Sequence, residues 1–437
     1  MIEYLLCILV IKKMLPMNKT QSKSNSSKRR ISCRVCQGSN LQKVLSLGSM
    51  PPANAFLKKE NLNRPEKSFP LELYFCNDCS FVQLLDIVSP KLLFEDYVYV
   101  SSTSPVFVAH FKELTRLITN RFSFPANPFI IDIGSNDGIL LRPFKEMGWR
   151  VLGVDPAKKI AAIATKNGIE TMPKFFNPEI AKKIIKKYGR ANLITSTSSF
   201  PHIDNLDEII AGVKELLSSD GIFIIEAYYL LDLIEKNLFD TIYHEHLSYF
   251  TVKTIKKLFE RLGLELFNIE KTDTHGGSLR IFAQKNNGPH PINKNKINSF
   301  IKNEEKMGLN KISTYKQLFN KIEKNRKKLF TLLKDLKNQN KTIIGYGAPA
   351  KGNTLLNYFQ IGPEILNYII DDSPWKQGLY TPGTHIPIVS LKELLKKQPD
   401  YILILAWNFA GPIMKKLSSF SEKGTKFIIP IPKPKIF

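Results

Sequence analysis

A chain of 437 residues is too long for one ordinary core and sets an expectation of two or three domains. Its hydrophobic content of 43% suits fully globular folding, and five cysteines are too few at this length for a secreted disulfide scaffold. The net charge of +24 is mostly lysine in a Lys-, Asn- and Ile-rich composition. It reads either as solvated lysine faces or as attraction for a polyanion or a phosphorylated substrate.

The apolar start, Met1–Ile11, is short and carries Glu3 where a secretory signal wants positive charge. It is too short for a bilayer. Met14 and Met17 follow, so it reads as an artefact of start-codon choice, with Cys7 an inert apolar residue. Residues 18–30 are polar and complete a disordered leader over 1–30. No later window is apolar enough to cross a membrane. From Ile31 to residue 105, short strand-like runs, prolines and two cysteine pairs suit a zinc-nucleated lobe with little core of its own. A helical pattern opens at Val106–Arg121. Strand and helix signals then alternate: Phe129–Ile133, Ile139–Met147, Val151–Val154, Pro156–Asn167, Asn192–Thr195, Leu206–Leu217 and Gly221–Ile225. That alternation implies an α/β domain over 106–290, with a parallel sheet between helices. A charged stretch with helical spacing, Asn293–Asn338, reads as one long helical connector. A second α/β unit follows, with strands Thr342–Gly345, Leu366–Ile370 and Tyr401–Leu405, and connector and unit together span 291–437.

Cys33-x-x-Cys36 and Cys76-x-x-Cys79 supply four thiolates, which bind zinc tetrahedrally; a CxxC turn points two sulfurs at one ion. Four ligands leave no open position, so the zinc is architectural. A redox CxxC is the competing reading, and two separate pairs argue against it. The turn Asp132-Ile-Gly134-Ser135-Asn136-Asp137-Gly138 joins a buried strand to a helix, and Asp155-Pro156 ends the next strand. Glycines let the backbone approach a ligand, and an acid at the second strand end can hold ribose hydroxyls. The full GxGxxG is missing. A sulfonium cofactor has no phosphates to cradle and tolerates Asp132 and Asp137, which favours S-adenosylmethionine over NAD; a loop without ligand is the bland alternative.

Tyr243-His244-Glu245-His246-Leu-Ser-Tyr249 is a dense polar cluster but not an HExxH zincin. It reads as a general base with an orienting acid, as a second metal site shared by His244 and His246, or as satisfied core histidines. In Thr274-His275-Gly-Gly-Ser278-Leu-Arg280 the double glycine suggests close backbone approach, and Arg280 could meet an anion. The turn Gly345-Tyr-Gly347-Ala-Pro-Ala-Lys351-Gly352 resembles a phosphate-cradling loop without being a Walker loop.

In order, CxxC…CxxC, DIGSNDG, YHEHLSYF, THGGSLR, YGAPAKGNT and ALAWNF resemble the three-domain, S-adenosylmethionine-dependent C-methyltransferases of nucleotide-linked keto-deoxysugars. The similarity runs from about Ile31 to the C-terminus. It implies a small zinc-binding N-terminal lobe, a central class I methyltransferase Rossmann-like domain and a C-terminal Rossmann-like domain. It also implies His246 as base with Glu245 and Tyr243 beside it, and a tyrosine from the zinc lobe, matched here to Tyr97. Where the family carries Asn-Val-x-Ala-His, this chain has Ser198-Ser-Phe-Pro201-His202, and for Glu-x-Pro-Tyr it has Glu226-Ala-Tyr228-Tyr229. A base such as His246 removes a proton beside a ketone, Tyr243 or Tyr97 stabilises the enolate oxygen, and the enolate attacks the sulfonium methyl. The expected cofactors are S-adenosylmethionine and structural Zn²⁺. The expected partner is a small nucleotide-sugar, held by His275, Ser278, Arg280, Gly347 and Lys351. Neither nucleic acid nor membrane is expected, and the chain is read as a cytoplasmic monomer. The rivals are a zinc-lobe RNA methyltransferase, for which the charge is too dispersed, and a non-catalytic sugar-nucleotide-binding protein.

Overall fold

The computed structural model describes residues 26–94 and 100–437. Strands β1 (Ser27–Arg29) and β5 (Asp86–Val88) pair antiparallel. Of the tail expected over 18–30, residues 27–29 are thus a strand, held by Arg29 on Asp86 and Tyr74. Strands β2 (Leu41–Met50), β3 (Phe69–Cys76) and β4 (Val82–Leu84) form an antiparallel sheet. Its fourth strand comes from far along the chain: β11 (Ser248–Tyr249) pairs with β4, and Leu84 N donates to the Leu247 carbonyl at 3.0 Å. The zinc lobe therefore grips the segment that contains His246.

The central sheet contains β6 (Phe129–Ile133), β7 (Arg150–Val154), β8 (Thr171–Met172), β9 (Ala191–Thr197), β10 (Leu217–Tyr228), β12 (Leu264–Thr272) and β13 (Ser278–Lys285). Its order is β12-β13-β10-β9-β6-β7-β8, with β13 antiparallel to both neighbours and β6 to β10 parallel. This is the class I methyltransferase arrangement. Phe129–Ile133 is buried along its whole length because helices cover both faces, which explains its unbroken apolar run. The strand order reverses between β6 and β9, and the glycine turn leaves β6 at that crevice, where doubly wound sheets bind ligands.

The charged connector is two helices, Lys294–Lys306 and Ile312–Asn338, rather than one; Gly308, at φ +72°, ends the first. Beyond it, β14 (Ile343–Tyr346), β15 (Ile369–Ile370), β16 (Ile388–Val389), β17 (Tyr401–Ile404), β18 (Lys426–Ile429) and β19 (Lys435–Ile436) form a second doubly wound sheet. Its order is β16-β15-β14-β17-β18-β19, parallel except for β19. One continuous core joins the lobe to both larger sheets, and separate clusters cover their far faces. Among the described residues no helix is long and apolar enough to cross a membrane.

Candidate active site and zinc centre

The four cysteine sulfurs lie within 4.8 Å of one another, with Cys33–Cys79 at 3.5 Å and Cys36–Cys76 at 3.6 Å. Zn–S bonds of about 2.3 Å in a tetrahedron require sulfurs about 3.8 Å apart, so this set fits zinc. Each pair sits in the same tight knuckle. Gln37 N bonds to Cys33 O and Ser80 N to Cys76 O, with Gln37 and Ser80 at φ +66° and +65°. Neighbouring Cys79 holds the Cys33 thiol down to about 5, while burial and the Cys33 charge push Cys76 up to about 12. The thiols cannot all ionise without a cation. Among the described residues this is the one cluster with metal-ligating spacing, so the His244–His246 metal reading has no support. Arg34, inside the first knuckle and 1% exposed, reaches Asp204 at 3.1 Å and ties the lobe to the loop that follows β9.

At the crevice, Gly134 has φ +77°, and a Cβ there would lie 2.4 Å from that of Ser199. Only glycine passes so close. The Asp155 carboxylate accepts Asn136 N at 2.8 Å and Ala157 N at 2.9 Å, locking the first two strand ends together. Each of its oxygens keeps a further lone pair for a ribose hydroxyl. Burial pushes Asp155 up, and Asp132, bonded to Thr195, up to about 7. Asp155, Pro156, Gly134 and Asn136 line a cavity of about 420 Å³. Its room and that carboxylate fit the adenosine end of S-adenosylmethionine.

A second cavity, about 210 Å³, shares Gly134, Asn136, Ser198 and His202 with the first and is also lined by Tyr243, His246 and Lys351. His246 is 1% exposed. Its Nδ1 lies 2.6 Å from the Thr241 carbonyl. A carbonyl only accepts, so Nδ1 carries the hydrogen and the neutral ring has its lone pair on Nε2. Aromatic rings wedge the imidazole: Tyr243 at 3.8 Å between centroids, Tyr228 at 4.5 Å and His202 at 5.0 Å, with Phe94 stacked beyond His202. Burial pushes His202 down to about 4, so it is neutral beside its neighbour.

Three family profiles match the chain: a zinc binding domain over residues 33–94, a methyltransferase domain over 107–269 and a C-methyltransferase C-terminal domain over 273–432. The C-methyltransferase NovU of Streptomyces niveus is 35% identical over 404 residues, which are 92% of this chain and 96% of that one. The chain belongs to the C-methyltransferase family. It is an S-adenosylmethionine-dependent enzyme that also binds zinc. The ubiquinone biosynthesis O-methyltransferase of Bartonella bacilliformis is 28% identical over 130 residues, covering 28% of this chain and 51% of that protein. The PH0226 protein from Pyrococcus horikoshii OT3 matches 45% of this chain and 97% of its own at 14% identity and TM-score 0.35.

The C-methyltransferase fold brings Asp132, Gly134, Ser135, Asn136, His202, Tyr243, His246 and Lys351 to one cavity, with Asp155 and Pro156 next door. Gly138, at φ +79°, instead packs its turn on Ile169. The Thr241 carbonyl takes the His246 Nδ1–H, and the Glu245 carboxylate, expected to orient that ring, accepts Asn54 Nδ2 at 2.7 Å. His244 turns to the zinc lobe, where its Nε2 meets the Phe69 carbonyl. Arg280 departs from its expected anion role. It is 7% exposed and engaged by Glu226 at 2.6 Å and Glu270 at 3.4 Å, because β13 lies between the strands that carry both acids. Ser278 donates to the Thr274 carbonyl, and His275 lies in the turn Thr274–Gly276. The phosphate cradle expected at Gly347 has spent its first donors: Gly347 N bonds to Ile370 O and Ala348 N to Asp371. Tyr97 lies outside the described residues. Sequence reasoning missed Thr241, Asn54 and Lys376, which line the same cavity as His246. Asn54, a lone amide after Pro51-Pro52, left the only visible signal.

Proposed function

We propose that this C-methyltransferase moves the methyl group of S-adenosylmethionine to a carbon beside the ketone of a nucleotide-linked keto-deoxysugar, through an enolate formed by His246. The observation that carries the reading is the fixed imidazole. Its Nδ1–H is committed to Thr241, and its ring lines the cavity that the cofactor turn also lines. Nε2 takes the carbon-bound proton, and the electron pair left behind delocalises onto the ketone oxygen. Tyr243 and Lys351, which line the same cavity, stabilise that oxygen. Bound S-adenosylmethionine supplies an electrophilic methyl on a positive sulfur. The chain's own part is to exclude water and hold enolate carbon and methyl in line.

In this reading the zinc lobe covers 31–105, the methyltransferase domain 106–290, and the connector with the C-terminal unit 291–437, in a cytoplasmic monomer. The test incubates purified protein and methyl-labelled S-adenosylmethionine with a panel of nucleotide-linked keto-sugars and with RNA. Label on a sugar carbon is expected; label in RNA and in no sugar rejects the proposal.

A further inference from the structure

The stretch Leu405–Phe409 holds a tryptophan to which the proposed reaction gives no task. Trp407 opens the turn Trp407–Phe409 behind β17. Its Nε1 donates to Asp240 Oδ2 at 2.6 Å, across the boundary between the two large sheets. Asp240 lies in the turn Phe239–Thr241, is 0% exposed, and has an Oδ1 that accepts no hydrogen bond. Lys351 offsets its charge, and the indole N–H is the hydrogen bond that ties this buried carboxylate and its turn to the C-terminal unit. The next residue, Thr241, supplies the carbonyl that takes the His246 Nδ1–H. On the indole's face, Lys351 Nζ stands 4.0 Å from the ring centre and donates to the Asn408 side chain. The first glycine of the pair anticipated as a close approach serves this contact: a Cβ on Gly276 would come within 3.1 Å of Trp407 Cη2.

We infer that Trp407 is a positioning residue for methyl transfer: through Asp240 it sets the Thr241 carbonyl and hence the direction of His246 Nε2, and through its ring it holds Lys351 at the wall of the same cavity. The C-terminal unit thereby aligns a base that it does not carry. This rests on His246 being the base.

Trp407→Phe keeps a ring for Gly276 and Lys351 but removes the N–H. Its kcat, and its rate of solvent deuterium exchange at the substrate carbon, should fall on the order of 10²-fold, as for a misplacement of about 1 Å. KM for S-adenosylmethionine and zinc content should stay within about twofold. Asp240→Ala breaks the same bond from the other side, so the double variant should lose no more than either single one. Should Trp407→Phe fail to fold, which its cofactor affinity reports, Asp240→Ala alone carries the test. Exchange within about threefold of wild type in a folded variant, or additive losses in the double, overturns the inference. A His246→Asn control separates the two ideas. If it loses exchange while Trp407→Phe keeps it, only this inference falls; if it keeps exchange, the base assignment falls.

Discussion

Removing zinc should disable methyl transfer well before it abolishes cofactor binding. The route is structural: β4 of the zinc lobe pairs with β11, immediately after His246, and Leu84 N holds the Leu247 carbonyl. Structural zinc is worth about 10–16 kcal/mol, against a stability of about 5–15 kcal/mol for a whole domain. A lobe that loses it, as in Cys76→Ser, loses its sheet. The pairs Ser248–Gln83 and Tyr249–Val82 and the Leu84–Leu247 bond then go. At about 1 kcal/mol each, these make roughly 3 kcal/mol, or on the order of 10²-fold in the share of molecules with His246 in place. S-adenosylmethionine should weaken by less than about tenfold, because Gly134, Asn136 and Asp155 stand on the central sheet and the lobe adds only wall residues such as Ile87 and Phe94. Zinc content, kcat and calorimetric cofactor affinity, measured on one preparation, decide it. A zinc-free variant with kcat within about threefold of wild type refutes the reasoning.

Gly134→Ala places a methyl at φ +77° and 2.4 Å from the Ser199 Cβ, so calorimetry should show at least about a tenfold loss of S-adenosylmethionine affinity; unchanged affinity contradicts the cofactor assignment of this turn. Glu304 is buried at the N-terminus of helix Val252–Leu262, where it accepts Val252 N, Lys253 N and the Tyr229 hydroxyl. Burial raises it from 4.5 to about 7 in the folded chain. Its contribution is therefore full below about pH 4.5 and is lost as pH rises through 7, by up to about 3 kcal/mol. Denaturant titrations from pH 5 to 8 should show this slope in wild type and not in Glu304→Gln; equal slopes in both would show that the carboxyl does not titrate there.

Local chemistry was legible in the sequence. The cysteine spacing, the glycine turn and the unbroken Phe129–Ile133 run each encode their geometry within a few residues, and the structure shows that local geometry. What spacing could not disclose is pairing across long separations. Arg280 carries the same charge whether it meets a substrate or Glu226, and only the β10–β13 register decides. Glu245 sits beside His246 in sequence, yet its carboxylate also accepts Asn54 Nδ2 on the zinc lobe, 191 residues away. Periodicity also hid the break at Gly308, because apolar spacing continues on both sides of it. Ser198 adopts φ +61°, a left-handed conformation that asparagine, the residue the resemblance implies there, takes more readily than serine.

Deuterium exchange into the keto-sugar without S-adenosylmethionine isolates proton abstraction from methyl transfer and bears most directly on the central claim. Wild-type enzyme in D₂O should place deuterium on the carbon beside the ketone, and His246→Asn, with zinc and cofactor affinity intact, should place none. Undiminished exchange in that variant would contradict the account.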